Sequence, residues 1–439
     1  MKKSYLFSAF AAGMVMLSAC SNDGDLTGGN ADNESNDAVQ QIVLQVANTG
    51  EGMQTRAGRP LLSSEAKQDI KYVKVIICNA SNQIVKEKTY SNWNGADKTK
   101  KADSEGYSTG GAHGREVTLE YKGTEKLVNG KYTVYAFGYS DGSDYNDLDT
   151  KISKLAEGNT FTRNITLSLK NENVKGEEIF AGCSEEITID NTQKGFNKTV
   201  VLNRQVAGTF GYFDNIPYVA GAAKLQLVAS QRNNDLVLGS FNSFDLTGNG
   251  ANNDGHVNYV VNGTNAATEN VVYTINLDKW FTAVKDDNLD GLIDADTNWK
   301  GDAKKYATGS VFGGTFLIPF AKVDSEPTFV LQLTDNAGKV LKAWTVKLPS
   351  VDGQLSAYSF FKWNGTTFEK TPNVQDTQDK YSVVRNHLYG IGERALDNPT
   401  NPGKPDPTNP DKPEPLNKKQ ELTLHVNDNW EVIHKMELE

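Results

Sequence analysis

The stretch KYVKVIICNASNQIVKEKTY (residues 71–90) decides the class of fold. KYVKVII (71–77) alternates apolar and polar residues. NASN (79–82) has the composition of a turn, and QIVKEKTY (83–90) returns. The segment therefore predicts two paired strands. Working outward, KYTVYAFGYS (131–140), ITLSLK (165–170), KTVVLNRQVAGTFGYF (198–213), KLQLVAS (224–230) and YSVVRNHLYGIG (381–392) carry the same β-branched and aromatic grain. FVLQLTDNAGKVLKAWTVKL (329–348) reads as a hairpin turning across Asp335 to Gly338. Strands at this density with Gly/Asn turns predict an all-β protein of antiparallel sandwiches. Only DKWFTAVK (278–285) reads as helical. At 439 residues the chain is long enough for two domains. The boundary is expected near Arg204, giving 57–204 and 205–395.

The two ends have a different character. Lys2 and Lys3 precede the apolar run Tyr5 to Leu17, and Leu17-Ser18-Ala19-Cys20 follows. Residues 1–20 read as a lipoprotein signal peptide with Cys20 as the lipidated residue. Acyl chains hold a protein to a membrane by about 0.8 kcal/mol per buried CH₂, so the expected membrane contact is through the precursor's lipid only. Near the other end, seven of the 13 prolines fall in 399–415. Such a run favours extended polyproline II and a reach of about 50 Å. Residues 396–416 are therefore expected to be a linker, and 417–439 a tail held clear of both cores.

The end segments match. QQIVLQV (40–46) puts Ile42, Leu44 and Val46 on one face, and ELTLHVN (421–427) puts Leu422, Leu424 and Val426 on one face. Trp430, Val432, Met436 and Leu438 continue the even spacing. The two patterns would fill nearly the same groove, with roughly 5–9 kcal/mol at stake as an upper estimate. Between Cys20 and Arg56 there is no other Lys or Arg. A cut between Arg56 and Ala57 would release 21–56, lipid and strand together. A solvated loop arginine is the alternative.

These features in this order resemble a fimbrillin of the type V pili of Bacteroidales, in particular the shaft subunit of the short, or minor, fimbria. The residues that carry the resemblance are the lipobox, Thr55-Arg56-Ala57, GKYTVYAFGY (130–139), EEIFAG (177–182), LNRQVAG (202–208), VVRNHLYGIG (383–392), the Pro-rich spacer and the tail. The resemblance implies two transthyretin-like antiparallel β-sandwich domains, with an exchangeable N-terminal strand and a C-terminal donor strand. It implies export as a lipoprotein to the outer membrane and cleavage at Arg56-Ala57 by an arginine-specific protease. Polymerisation with identical subunits follows, in a surface fimbrium that also holds tip and anchor subunits and meets a host or bacterial surface ligand. An edge groove is a template for another chain, and a heterologous contact builds an open filament. The competing expectation is a monomeric surface lipoprotein that binds glycan and packs the tail on its own chain.

Other motifs point elsewhere. Net charge is −10, with 45 basic and 55 acidic residues, which leaves no basic stripe for nucleic acid. GYSTG (106–110) has the nucleophile-elbow pattern around Ser108 but lacks a strand before and a helix after, and reads as a polar loop. The five histidines form no H-x-x-x-H pair. No enzyme and no required cofactor is expected. DDNLDGLIDAD (286–296) fits the first nine positions of a calcium loop through Asp286, Asn288, Asp290, the Leu292 carbonyl and Asp294. Position twelve is Thr297 rather than Glu, and a solvated acidic turn is the alternative; a bound ion would be structural. Cys78 and Cys183 are either one disulfide or two free thiols.

Overall fold

The computed structural model describes residues 39–46, 70–91, 93, 107–109, 115–140, 144–171, 176–239, 258–303, 306–349, 355, 357–393, 397–398, 401–405, 412–418 and 420–427. In the first part of the chain the strands are β1 (Gln40–Val46), β2 (Tyr72–Asn79), β3 (Ile84–Tyr90), β4 (Tyr107–Thr109), β5 (Arg115–Tyr121), β6 (Gly130–Tyr139), β7 (Thr166–Ser168), β8 (Phe180–Cys183), β9 (Ile187–Ile189) and β10 (Phe196–Arg204). The second part contributes β11 (Ala207–Asp214), β12 (Lys224–Ala229), β13 (Asn233–Val237), β14 (Asn258–Val261), β15 (Gly263–Ala266), β16 (Val271–Asn276), β17 (Val311–Leu317), β18 (Phe329–Thr334) and β19 (Val340–Lys347). It continues with β20 (Tyr358–Trp363), β21 (Phe368–Val374), β22 (Leu388–Ile391), β23 (Asp397–Asn398), β24 (Asn401–Pro405), β25 (Glu414–Pro415) and β26 (Glu421–Asn427).

The protein is all-β, and its two large sheets curl into β-sandwich-like units. The first runs β3-β2-β6-β8-β10-β1-β5-β4, and the second β16-β12-β18-β19-β26-β22-β11-β17. Period-two alternation explains how β2 serves two cores. Val73, Val75 and Ile77 face the first sandwich's core with Val134, Val200 and Leu202. Ile76 and Cys78 face a second apolar layer with Phe137, Phe161 and Leu167. The second sandwich closes over Leu225, Leu227, Leu331, Leu333, Trp344 and Val346. Both hairpins read from sequence are present: β2 with β3 around Asn82 at φ 59°, and β18 with β19 around Gly338 at φ 88°.

Three local expectations are corrected. Residues 278–285 form no α-helix; a single 3-10 turn spans Leu277–Lys279, and Phe281 then bridges to Trp299. The adjacent Trp280 and Phe281 supply a two-residue apolar patch, not a helical stripe. Tyr107–Thr109 of the GYSTG motif is a short edge strand paired with β5, not a loop. The tail is not held clear of both cores. Leu416 is fully buried, its N–H donates to the Asp214 carbonyl (3.1 Å), and its carbonyl accepts from Trp344 Nε1 (3.2 Å). Burial of Leu416, Leu422 and Leu424 in the second core outweighs the extended preference of the preceding prolines.

The two sandwiches are joined by more than the chain. Residues of β7 pair with β13, which pairs with β15, in a three-stranded sheet drawn from both halves. At the crossing, Arg204 Nε donates to Glu178 Oε1 at 2.6 Å, both side chains being 2% exposed. Arg385 Nη1 donates to Gln205 Oε1 (3.0 Å), and the Asn386 N–H donates to the Val206 carbonyl (2.9 Å). EEIFAG, LNRQVAG and VVRNHLYGIG thus meet at one joint. Gly182 belongs to it for steric reasons, since a Cβ there would lie 2.0 Å from the Val201 carbonyl oxygen.

Candidate functional site: two slots and the strands that fill them

In each sandwich a strand from one end of the chain lies parallel to one neighbour and antiparallel to the other. In the first it is β1. Gln40–Val46 runs parallel to Phe196–Leu202 of β10, and Gln40–Gln45 runs antiparallel to Glu116–Tyr121 of β5. β1 is thus paired on both sides along nearly its whole length. Leu44 sits between Val117 and Val200, and Ile42 lies opposite Leu119. Ile42 and Leu44 are both fully buried. Gln40, also inward and only 2% exposed, spends its amide on the slot's mouth. Its Nε2 donates to the Leu127 and Lys194 carbonyls, each at 3.0 Å, and its Oε1 accepts from the Leu127 N–H at 2.7 Å.

In the second sandwich the inserted strand is β26. Glu421–Thr423 pairs in parallel with Thr345–Lys347 of β19, and Leu424–Asn427 pairs antiparallel with Leu388–Ile391 of β22. The pairing is staggered, so each residue has a ladder partner on one side. Leu422 and Leu424 are 1% exposed and share the core with Trp344, Val346, Tyr389 and Ile391. Lys347 Nζ meets Glu421 Oε1 at 2.6 Å on the surface. A surface ion pair of this kind contributes about 0–1 kcal/mol. Gln420, just before the strand, is exposed.

The two strands align as Gln-x-Ile-x-Leu-x-Val at 40–46 and Gln-x-Leu-x-Leu-x-Val at 420–426. Sequence reasoning found the apolar triplets but missed the glutamine two positions before each. The repeated Gln was the available signal. Ile42, Leu44, Leu422 and Leu424 face inward as read. The backbones of Val46 and Val426 are paired with Leu202 and Tyr389. Cys20, Arg56, Ala57, Trp430, Val432, Met436 and Leu438 lie outside the described residues.

The acidic loop folds onto itself. Asp286 accepts backbone N–H bonds from Asp290 (3.1 Å) and Gly291 (3.0 Å), Asp290 from Leu292 (2.8 Å), and Asp294 from Asp287 (2.7 Å). The Asn288 side-chain oxygen also accepts from the Asp290 N–H (3.1 Å). Ile293 anchors the loop, donating to the Ile216 carbonyl at 2.9 Å. Thr297 lies in the single helical turn Ala295–Asn298. Among the described residues no three His, Cys, Asp or Glu side chains gather as a metal cage.

Cys78 on β2 and Cys183 on β8 flank β6, opposite Thr133 and Tyr135. Two strand spacings, about 9.6 Å, exceed the span of a disulfide, and no disulfide joins them. Burial pushes the Cys183 thiol up to about 11 and the Cys78 thiol up to about 12. A cleft of about 510 Å³ is lined by Tyr72, Tyr139, Asn146, Asp149, Ser153 and Lys170 among others. Tyr72 is stacked on Tyr139 at 5.5 Å, with Lys71 Nζ 5.2 Å over its ring, so that ring is already engaged. Among the described residues no helix is long and apolar enough to cross a membrane.

No family model and no curated protein matches the chain. Solved structures do. The fimbrial anchor protein Mfa2 of Porphyromonas gingivalis is 11% identical with a TM-score of 0.34, over 70% of this chain and 82% of its own. The tip fimbrial protein Mfa3 of the same organism, C-terminally truncated, is 11% identical with a TM-score of 0.36, over 80% and 94%. A fimbrilin of P. gingivalis W83 is 15% identical with a TM-score of 0.35, over 88% of this chain and 96% of that one.

Proposed function

We propose that this protein is a structural shaft subunit of a cell-surface pilus that supports adhesion. It is exported as a lipoprotein through Cys20, cleaved between Arg56 and Ala57, and polymerised by exchange of β26 into the slot that β1 leaves in the next subunit. The observation that carries this reading is the unequal pairing of two strands of matching sequence. β1 occupies a slot that pairs a strand on both sides, whereas β26 occupies one that pairs each residue on one side. Moving β26 into an emptied first slot adds ladder hydrogen bonds, each with a net contribution of about 0.5–1.5 kcal/mol. While β1 is in place that slot is closed, which holds the precursor monomeric. Because donor and slot belong to different sheets of the subunit, the contact propagates head to tail.

The competing reading, a monomer that binds glycan, is favoured by β26 packing on its own chain. Cleavage separates the two. Protein treated with an arginine-specific protease should begin at Ala57 and form filaments visible by electron microscopy. Arg56→Ala should stay folded and monomeric under the same treatment. Filaments from Arg56→Ala would overturn the proposal.

A further inference from the structure

We propose that Gln420 sets the register of strand exchange, taking the place of Gln40 in the neighbouring subunit's slot; this rests on the exchange reading above. The apolar alternation of β26 cannot set register by itself. A slip of one residue turns Leu422 and Leu424 outward and is rejected. A slip of two keeps every apolar side chain inward, so Leu424 would sit where Ile42 sits, and Leu422 where Gln40 sits. What distinguishes the two registers is the slot's mouth. There the Leu127 N–H and the Leu127 and Lys194 carbonyls are held by the Gln40 amide in the uncleaved chain.

In the correct register Gln420 arrives at that point with the same donors and acceptor. In the slipped register a leucine would cover three backbone groups and satisfy none of them, and buried polar groups without partners are costly. The side chain has no comparable task at home. In the second sandwich Gln420 is exposed, and its backbone carbonyl accepts the Thr345 N–H at 3.1 Å, a bond any residue supplies. The amide at position 420 therefore has its use in the first slot, not in the second.

The test treats the full chain with an arginine-specific protease, which releases 21–56, in wild-type, Gln420→Leu and Arg56→Ala forms. Gln420→Leu should melt as the wild-type monomer does, yet form filaments at least about tenfold more slowly, the loss of one or more buried hydrogen bonds. Exchange of the Leu127 amide hydrogen gives a second readout. It should be protected in wild-type filaments and unprotected in any that Gln420→Leu forms. Wild-type assembly rate with a protected Leu127 amide would overturn the register role, as would a lowered melting temperature of the Gln420→Leu monomer. Arg56→Ala, whose β1 stays in its slot, separates this from the wider reading. If it stays monomeric while Gln420→Leu assembles as the wild type does, only the register role fails; if it assembles normally, strand exchange itself fails.

Discussion

Leu424→Ala is the sharpest probe of where β26 resides before assembly. Leu424 is 1% exposed and packs in the second sandwich's core with Tyr389, Ile391 and Trp344. Truncating a leucine in such a site removes its transfer free energy and leaves a cavity, for a cost of about 2–5 kcal/mol. Thr423 is only half-buried on the opposite face, so Thr423→Ala should cost under about 1 kcal/mol. For a unit of this size, 1 kcal/mol shifts the melting temperature by roughly 2–4 °C. Leu424→Ala should then lower the transition of the second sandwich by about 4–20 °C, and Thr423→Ala by no more than about 4 °C. The assay is calorimetry of the uncleaved monomer, with hydrogen exchange to assign the transition to β19 and β22. A Leu424→Ala monomer that melts with the wild type would refute the placement of β26 at home.

Other consequences can be checked in parallel. Glu178→Gln removes the carboxylate facing Arg204 at the buried joint and should cost about 3–5 kcal/mol, read as a lower denaturant midpoint at unchanged slope. Burial raises the Asp376 carboxyl to about 6, against the opposing pull of the Tyr358 hydroxyl and Lys322. Its charged form is therefore disfavoured by folding, so the penalty is present at neutral pH and fades as pH falls through about 6 toward 4. Asp376→Asn should stabilise the protein by up to about 3 kcal/mol at pH 7 and by almost nothing at pH 4; a gap that does not close on acidification would contradict this. If the 286–294 loop holds a structural calcium ion, calcium at about 100 times its dissociation constant should add about 2.7 kcal/mol of stability. Asp290→Ala should abolish that gain.

Local pattern made much of this architecture legible. Residues 71–90 and 329–348 carry their own turns between alternating runs, so the hairpins follow from neighbours in sequence. Ile42, Leu44, Leu422 and Leu424 were readable as inward residues for the same reason. Which sheet receives a strand is not written in its period. β1 pairs with β5 and β10, far along the chain, and β26 finds β19 and β22 beyond a proline-rich segment. The Gln40 amide was invisible until Leu127 and Lys194 were seen beside it. The three quoted motifs that meet at Arg204 read as separate strands because nothing in them announces a shared partner.

That joint has a mechanical consequence. Sheet pairing between β7 and β13, with the buried Arg204–Glu178 pair beside it, couples the two halves of the subunit into one stiff link. Under the proposed exchange, bending of a filament of such links would be confined to the crossings where one subunit's strand enters the next. The compliance of such a filament would then be set by residues 417–420, between buried Leu416 and β26. Lengthening that stretch should soften the filament without altering either sandwich.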